Sequence, residues 1–223
     1  MDRLIVFGLQ FLGGFWRNPP VVVVLVLNLI PALCVLWLGW SALALLLLYW
    51  LENVVIGAVN ALKMAAAARG KPNGPVLAAA VIPFFVIHYG MFCLGHLVFT
   101  VLIGGGAFNG QDPLKEALAL WRDRDGLLWA AAAMAALHLA NYVVWLRQGG
   151  WRETDPQSQM GEPYGRIVVL HITILGGAFL LSETGAPAAL IALLAVLKSI
   201  YDVATTAGQQ RKLKAAQAAA AAG

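Results

Sequence analysis

The chain has 223 residues, 61% of them hydrophobic and 12% charged, with a mean hydropathy of +0.77. Soluble domains average about 25% charged residues, so this composition excludes a soluble globular domain. The net charge of +4 carries no nucleic-acid signal, because the Lys and Arg residues sit at the ends of apolar stretches and form no basic stripe interleaved with aromatics.

A membrane span needs about 20 mostly apolar residues, and the elements follow from that length. Residues 4–16 are too short to span, and Ile5, Leu9, Leu12 and Trp16 recur at helical spacing, which predicts an interfacial or re-entrant helix. Trp16-Arg17-Asn18-Pro19 is not a small-residue cleavage site, so a cleavable signal peptide is not expected. Pro19-Pro20 ends the helix, and a first span runs over about 20–39 with Asn28 and Pro31 inside it. The second span covers about 41–66, and Arg69-Gly70-Lys71-Pro72-Asn73-Gly74 breaks it. The third covers about 75–103 and stops at Gly104-Gly105-Gly106. Asp112-Pro113 then places an acceptor at an N-cap and proline in the first turn of a short amphipathic helix. The fourth span covers about 126–146, residues 147–162 form a polar loop, and the fifth and sixth spans cover about 163–182 and 186–207.

The expected fold is therefore all-α: a six-span transmembrane helical bundle with an N-terminal interfacial or re-entrant helix and a short amphipathic helix between spans three and four. Residues 1–208 make one polytopic domain, and 209–223 a basic, then Ala-rich tail. Eleven Lys and Arg residues fall on one face of this topology against three on the other, which puts both termini in the cytoplasm. No internal repeat stands out.

Ionisable groups inside the spans carry the functional signal, since each costs roughly 2.5 kcal/mol or more to insert. At 1.5 Å per residue, Glu52, His88, His138 and His171 all come near mid-membrane, each on its own helix. His96 lies two turns further out than His88. Lys198 and Asp202 stand at i and i+4 and can pair, while Tyr49, Asn53, Asn60, Asn141 and Tyr142 add hydrogen-bonding groups. Cys34 and Cys93 both fall in apolar spans and argue against a disulfide framework; Cys93 reads as a small core residue.

Three stretches, Tyr49-Trp50-Leu51-Glu52-Asn53, His88-Tyr89-Gly90-Met91-Phe92 running to His96, and Pro163-Tyr164-Gly165-Arg166 leading to Leu170-His171, resemble a family of bacterial integral membrane proteins known only as a domain of unknown function, number 6498. The resemblance implies a polytopic fold in a bacterial inner membrane and no particular activity.

Four functional readings follow. The leading one is a transition-metal centre of Zn, Fe or Cu, held by His88, His138 and His171, with His96 as an outer ligand and Glu52 as ligand or general base, because imidazole and carboxylate suit these metals. A metal-bound water with a pKa near about 7 then makes chemistry on a lipid-like or small substrate feasible, although no HExxH motif is present. The others are a b-type haem held by two histidines, a proton-coupled transporter or channel using Tyr49, Asn53, Asn141, Lys198 and Asp202 as its path, and a structural protein with hydrogen-bonded core histidines. The partner is the lipid bilayer, with a homo-oligomer left open and no nucleic acid.

Overall fold

The computed structural model describes residues 42–69, 71–104, 110, 112, 115, 117, 119–120, 125–172, 176, 193, 196–205 and 207–208. Among them every regular element is helical and no strand occurs. Three long helices, α1 (Ala42–Ala68), α2 (Gly74–Gly104) and α3 (Asp125–Arg147), are followed by two short ones, α4 (Gly150–Glu153) and α5 (Pro156–Gly161). Residues 164–172 and 196–205 are also helical and are called α6 and α7. Leu43–Ala68, Gly74–Leu102 and Leu127–Arg147 are long and apolar enough to cross a membrane, and they agree with the second, third and fourth expected spans within two residues at each end. The expected N-terminal helix, the first span, Cys34 and the tail from 209 lie outside the described residues. The fifth and sixth expected spans are described chiefly at α6 and α7.

Burial separates the three long helices. In the most apolar window of α1, 56% of residues are buried, against 17% for α2 and 0% for α3. α1 is therefore the central helix, with α2 and α3 presenting apolar faces outward. Val76, Met91, Leu94 and Trp129 are exposed on those faces, which suits contact with lipid rather than water. Trp129 and Trp145 stand near the two ends of α3, 16 residues or about 24 Å apart at 1.5 Å per residue. They suit the two aromatic interfaces of a membrane. At the Trp145 end the Lys63 ammonium lies 5.5 Å from the Trp145 ring centre, and the Lys71 ammonium reaches the Arg152 carbonyl at 3.5 Å.

α1 turns into α2 over a few residues. Lys71 N–H donates to the Ala68 carbonyl at 3.2 Å and Gly74 N–H to the Lys71 carbonyl at 3.0 Å. Gly74 lies so close to the Ala68 carbonyl that no Cβ could fit. The two helices then pack through Met64, Phe85, Tyr89 and Cys93, with Ile167 of α6 completing the cluster. A Cβ on Gly57 would run into the Tyr89 ring, so the missing side chain sets the approach of α1 to α2. Tyr89 Oη donates to the Asn53 carbonyl at 3.1 Å, and Trp50 Nε1 to the Cys93 carbonyl at 2.8 Å. Cys93 is thus a core residue, as its apolar setting suggested.

Two local readings have definite outcomes. The Asp112 cap forms, since Asp112 Oδ1 accepts from the Lys115 backbone N–H at 3.2 Å. Residues 147–162, by contrast, are not a plain polar loop. Asp155 Oδ2 accepts from Gln157 and Ser158 N–H at 3.1 and 3.0 Å, with Pro156 in the first turn of α5. This is the arrangement of acceptor followed by proline that starts a helix. α5 is then pinned to α1, because Gln159 Nε2 donates to Asn60 Oδ1 at 2.6 Å and Asn60 Nδ2 donates to the Gln159 carbonyl at 3.0 Å, with both residues buried.

Candidate functional site

Eight residues before Asn60 on α1, about 12 Å along the helix, lies Glu52. Its carboxylate is met from two other helices. Arg166 Nη1 of α6 lies 3.1 Å from Oε1, and Lys198 Nζ of α7 lies 3.2 Å from Oε2. The same two cations hold Asp202 of α7, with Arg166 Nη2 at 2.7 Å from Oδ1 and Lys198 Nζ at 2.8 Å from Oδ2. Glu52, Arg166, Asp202 and Lys198 therefore close a ring in which acid and base alternate. Its formal charge sums to zero, which is what makes four charges tolerable in a segment flanked by apolar helices. His138 of α3 approaches Glu52 Oε1 at 3.5 Å from the side. The Lys198 ammonium also sits 5.2 Å from the Tyr49 ring centre, close enough for a cation–π contact.

A cavity of about 30 Å³ adjoins the ring, walled by Tyr49, Asn53, Leu170 and Tyr201 as well as by the four charged residues. That is room for one or two water-sized groups. Tyr49 and Asn53 are 4% and 7% exposed, yet Tyr49 Oη and Asn53 Oδ1 have no hydrogen-bond partner among the described residues. The Asn53 amide N–H is already used, donating to the Tyr49 carbonyl at 2.9 Å. One hydroxyl and one amide oxygen thus remain at the edge of the charge ring.

The four histidines do not converge: His88, His138 and His171, the expected metal-ligand set, stand in three separate settings. His138 belongs to the ring. His88 Nδ1 pairs with Tyr164 Oη at 2.7 Å, in an aromatic nest with Phe84, Phe92 and Tyr89. His96 Nε2 and His171 Nδ1 face each other at 2.6 Å. Among the described residues no group of three or more His, Cys, Asp or Glu side chains could hold a metal ion. Nor does the His96–His171 pair have bis-axial haem geometry. Metal–imidazole bonds run about 2.0–2.1 Å, as measured for zinc, so two axial nitrogens stand about 4 Å apart, whereas these two share a hydrogen bond. Equal depth along separate helices is a necessary condition for a shared site; facing inward at one point is a further one, and sequence depth does not encode it.

Of the expected polar path, Tyr49, Asn53, Lys198 and Asp202 all line the cavity. Lys198 and Asp202 do pair, but as half of a larger network. Asn141 does not belong to it, since it is exposed on α3 and is not among the residues that wall this cavity. The missing member was Arg166, one of the eleven cations counted on the cytoplasmic face. A charge count inside the expected spans does not find it, because Lys63 and Lys198 already match Glu52 and Asp202.

The stretches that build this site are those that bear the family resemblance, Tyr49 to Asn53 and Pro163 to Arg166 among them. A sequence profile for the family of unknown function DUF6498 matches residues 13–221. The chain belongs to this family. The match spans all of the site, so the ring, its cavity and both histidine pairs lie within the family's homologous region. No curated protein and no solved structure matches the chain.

Proposed function

We propose that the chain is a six-span protein of a bacterial inner membrane, with both termini cytoplasmic, and that the Glu52–Arg166–Asp202–Lys198 ring is the coupling site of a proton-linked carrier for a small anionic solute. One observation carries this reading: a neutral ring of four charges on three helices, bordered by a cavity into which a buried hydroxyl and a buried amide oxygen bring unused hydrogen-bonding capacity. Four charged groups cost on the order of 10 kcal/mol to insert before pairing, at roughly 2.5 kcal/mol each. Replacing buried ion pairs by well-packed apolar groups is often neutral or stabilising, so cohesion alone is a weak reason for such a ring. Ionisable residues facing a bundle interior mark ion and proton pathways.

The chemistry follows from the geometry. Protonating Glu52 removes its charge, and the neutral ring becomes +1. Arg166 and Lys198 remain held by Asp202, while each loses its second anionic partner. A carboxylate or phosphate of a solute then restores the pairing, accepting from Arg166 and Lys198, with Tyr49 Oη as a further donor. Proton and anion enter together because each removes the charge imbalance created by the other. The cavity is too small for a solute while the ring is closed, so binding requires α1 to part from α6 and α7, and loss of the Glu52 contacts loosens that seam.

The test is proteoliposomes with an internal pH dye and a panel of small carboxylates and inorganic phosphate supplied outside. Anion-dependent internal acidification is expected in the native protein, falling at least tenfold in Glu52→Gln while the variant remains monodisperse and folded. A native protein that moves no protons with any of these anions, or a Glu52→Gln variant that keeps coupled movement, would remove the carrier reading.

A further inference from the structure

A second cavity, of about 230 Å³, opens between α2 and α6 and has no charged residue in its lining among the described residues. His88, His96 and His171 line it together with Phe92 and Phe99, and Met91, itself 67% exposed, borders it. The surrounding face of α2 is apolar and exposed, so access is from the bilayer. His96 is 2% exposed and its Nδ1 has no partner among the described residues.

We propose that this cavity binds the head group of a neutral, membrane-soluble carbonyl compound of the quinone class, with the His96–His171 pair as its hydrogen-bonding end. Charge decides against an ionic ligand, since none of the described lining residues carries a charge that would neutralise one. Volume decides for a head group: pockets that enclose a drug-sized ligand span about 300–1,000 Å³, so this one takes a ring and leaves any tail along the lipid face of α2. The two phenyl side chains suit a planar ring, which stacks on aromatic faces.

The hydrogen bond between the imidazoles makes the polar end specific. One ring nitrogen must donate and the other accept. If His171 Nδ1–H donates, His96 carries its remaining proton on Nδ1 and can donate to a carbonyl. If His96 Nε2–H donates instead, the free proton moves to His171 Nε2 and His96 Nδ1 becomes an acceptor, suited to a hydroxyl. The pair therefore always offers one donor and one acceptor at its two outer nitrogens, and a tautomer shift exchanges them. A carbonyl and its hydroxyl form can each be held without any change of net charge.

Gly95 supplies the test, because it lines the cavity while a Cβ placed on it meets nothing within 4 Å beyond its own chain neighbours. Gly95→Leu puts bulk into the cavity and leaves both histidines in the chain. Full-length protein labelled with ¹⁵N-histidine, in phosphatidylcholine nanodiscs, is titrated with decylubiquinone. Saturable shifts of the His96 and His171 imidazole signals are expected, with His138 unmoved, and binding at least tenfold weaker in Gly95→Leu at an unchanged melting temperature. Should Gly95→Leu prove less stable, His171→Leu, whose side chain is exposed, takes its place with the His96 signal as readout. The proposal fails if neither signal moves, if the cavity-filling variant binds equally well, or if decane alone gives the same shifts, which would make the cavity a plain lipid groove.

Discussion

The two polar regions of this bundle solve the problem of polarity in an apolar setting in opposite ways. Around Glu52 the solution is charge balance: two carboxylates and two cations on α1, α6 and α7 close on one another, and the central helix carries the acid that links them. Along α2 the solution is neutral pairing: His88 with Tyr164, His96 with His171, each a single hydrogen bond beside aromatic rings. A neutral imidazole can sit at a lipid-facing surface, and His171 is exposed there. A carboxylate cannot, and both Glu52 and Asp202 are held inward. α6 takes part in both regions, with Arg166 in the ring and His171 five residues later in the pair.

If charge balance is what holds the first region, removing one cation should be the most damaging single change. Arg166→Met leaves Glu52 and Asp202 sharing Lys198, an uncompensated buried charge of the kind that costs about 3–5 kcal/mol. Thermal unfolding in detergent should show a midpoint lower by about 6–20 °C, at roughly 2–4 °C per kcal/mol for a chain of this size. The double variant Arg166→Met with Glu52→Gln restores neutrality and should recover much of that loss. A double variant no more stable than the single one would show that geometry rather than charge balance maintains the ring.

The neutral contacts should respond less. Asn60→Ala strands the buried Gln159 amide, and leaving a buried polar group unsatisfied costs about 1–3 kcal/mol. Because α5 is pinned to α1 through this pair, limited proteolysis between residues 148 and 162 should accelerate along with the fall in stability. Tyr164→Phe removes only the partner of His88 Nδ1 and keeps the ring packing, for a loss of about 0.5–1.5 kcal/mol. A loss from Tyr164→Phe as large as that from Arg166→Met would erase the distinction between the two regions.

The long helices were legible because about 20 apolar residues bounded by Gly, Pro and charges leave few alternatives, and α1, α2 and α3 end within two residues of where those signals stand. α5 was missed although Asp155-Pro156 repeats the signal recognised at Asp112-Pro113, because a six-residue helix has no apolar periodicity to support the cap. In the site, membership was legible and partnership was not. Glu52, Tyr49, Asn53, Lys198 and Asp202 stood out as polar groups in apolar segments, but depth along a helix does not say which face looks inward, so His88 and His171 were grouped with Glu52. Arg166 was hidden for a different reason. It stands three residues into its apolar segment, where a cation ordinarily reaches back to the interface, and the charges inside the expected spans already balance without it, Lys63 and Lys198 against Glu52 and Asp202.

His138 is where the two regions meet in kind, a histidine beside the charge ring, and it should give the smallest effect. At 3.5 Å from Glu52 Oε1 it is at the outer limit of a hydrogen bond, and Glu52 keeps both Arg166 and Lys198 without it. Its contact is the weakest around the ring, so His138→Ala should cost well under about 1 kcal/mol, within the range of weakly coupled substitutions, and should leave the thermal midpoint almost unchanged. A loss as large as that from Asn60→Ala would mean instead that the imidazole holds Glu52 in place and is a working member of the ring.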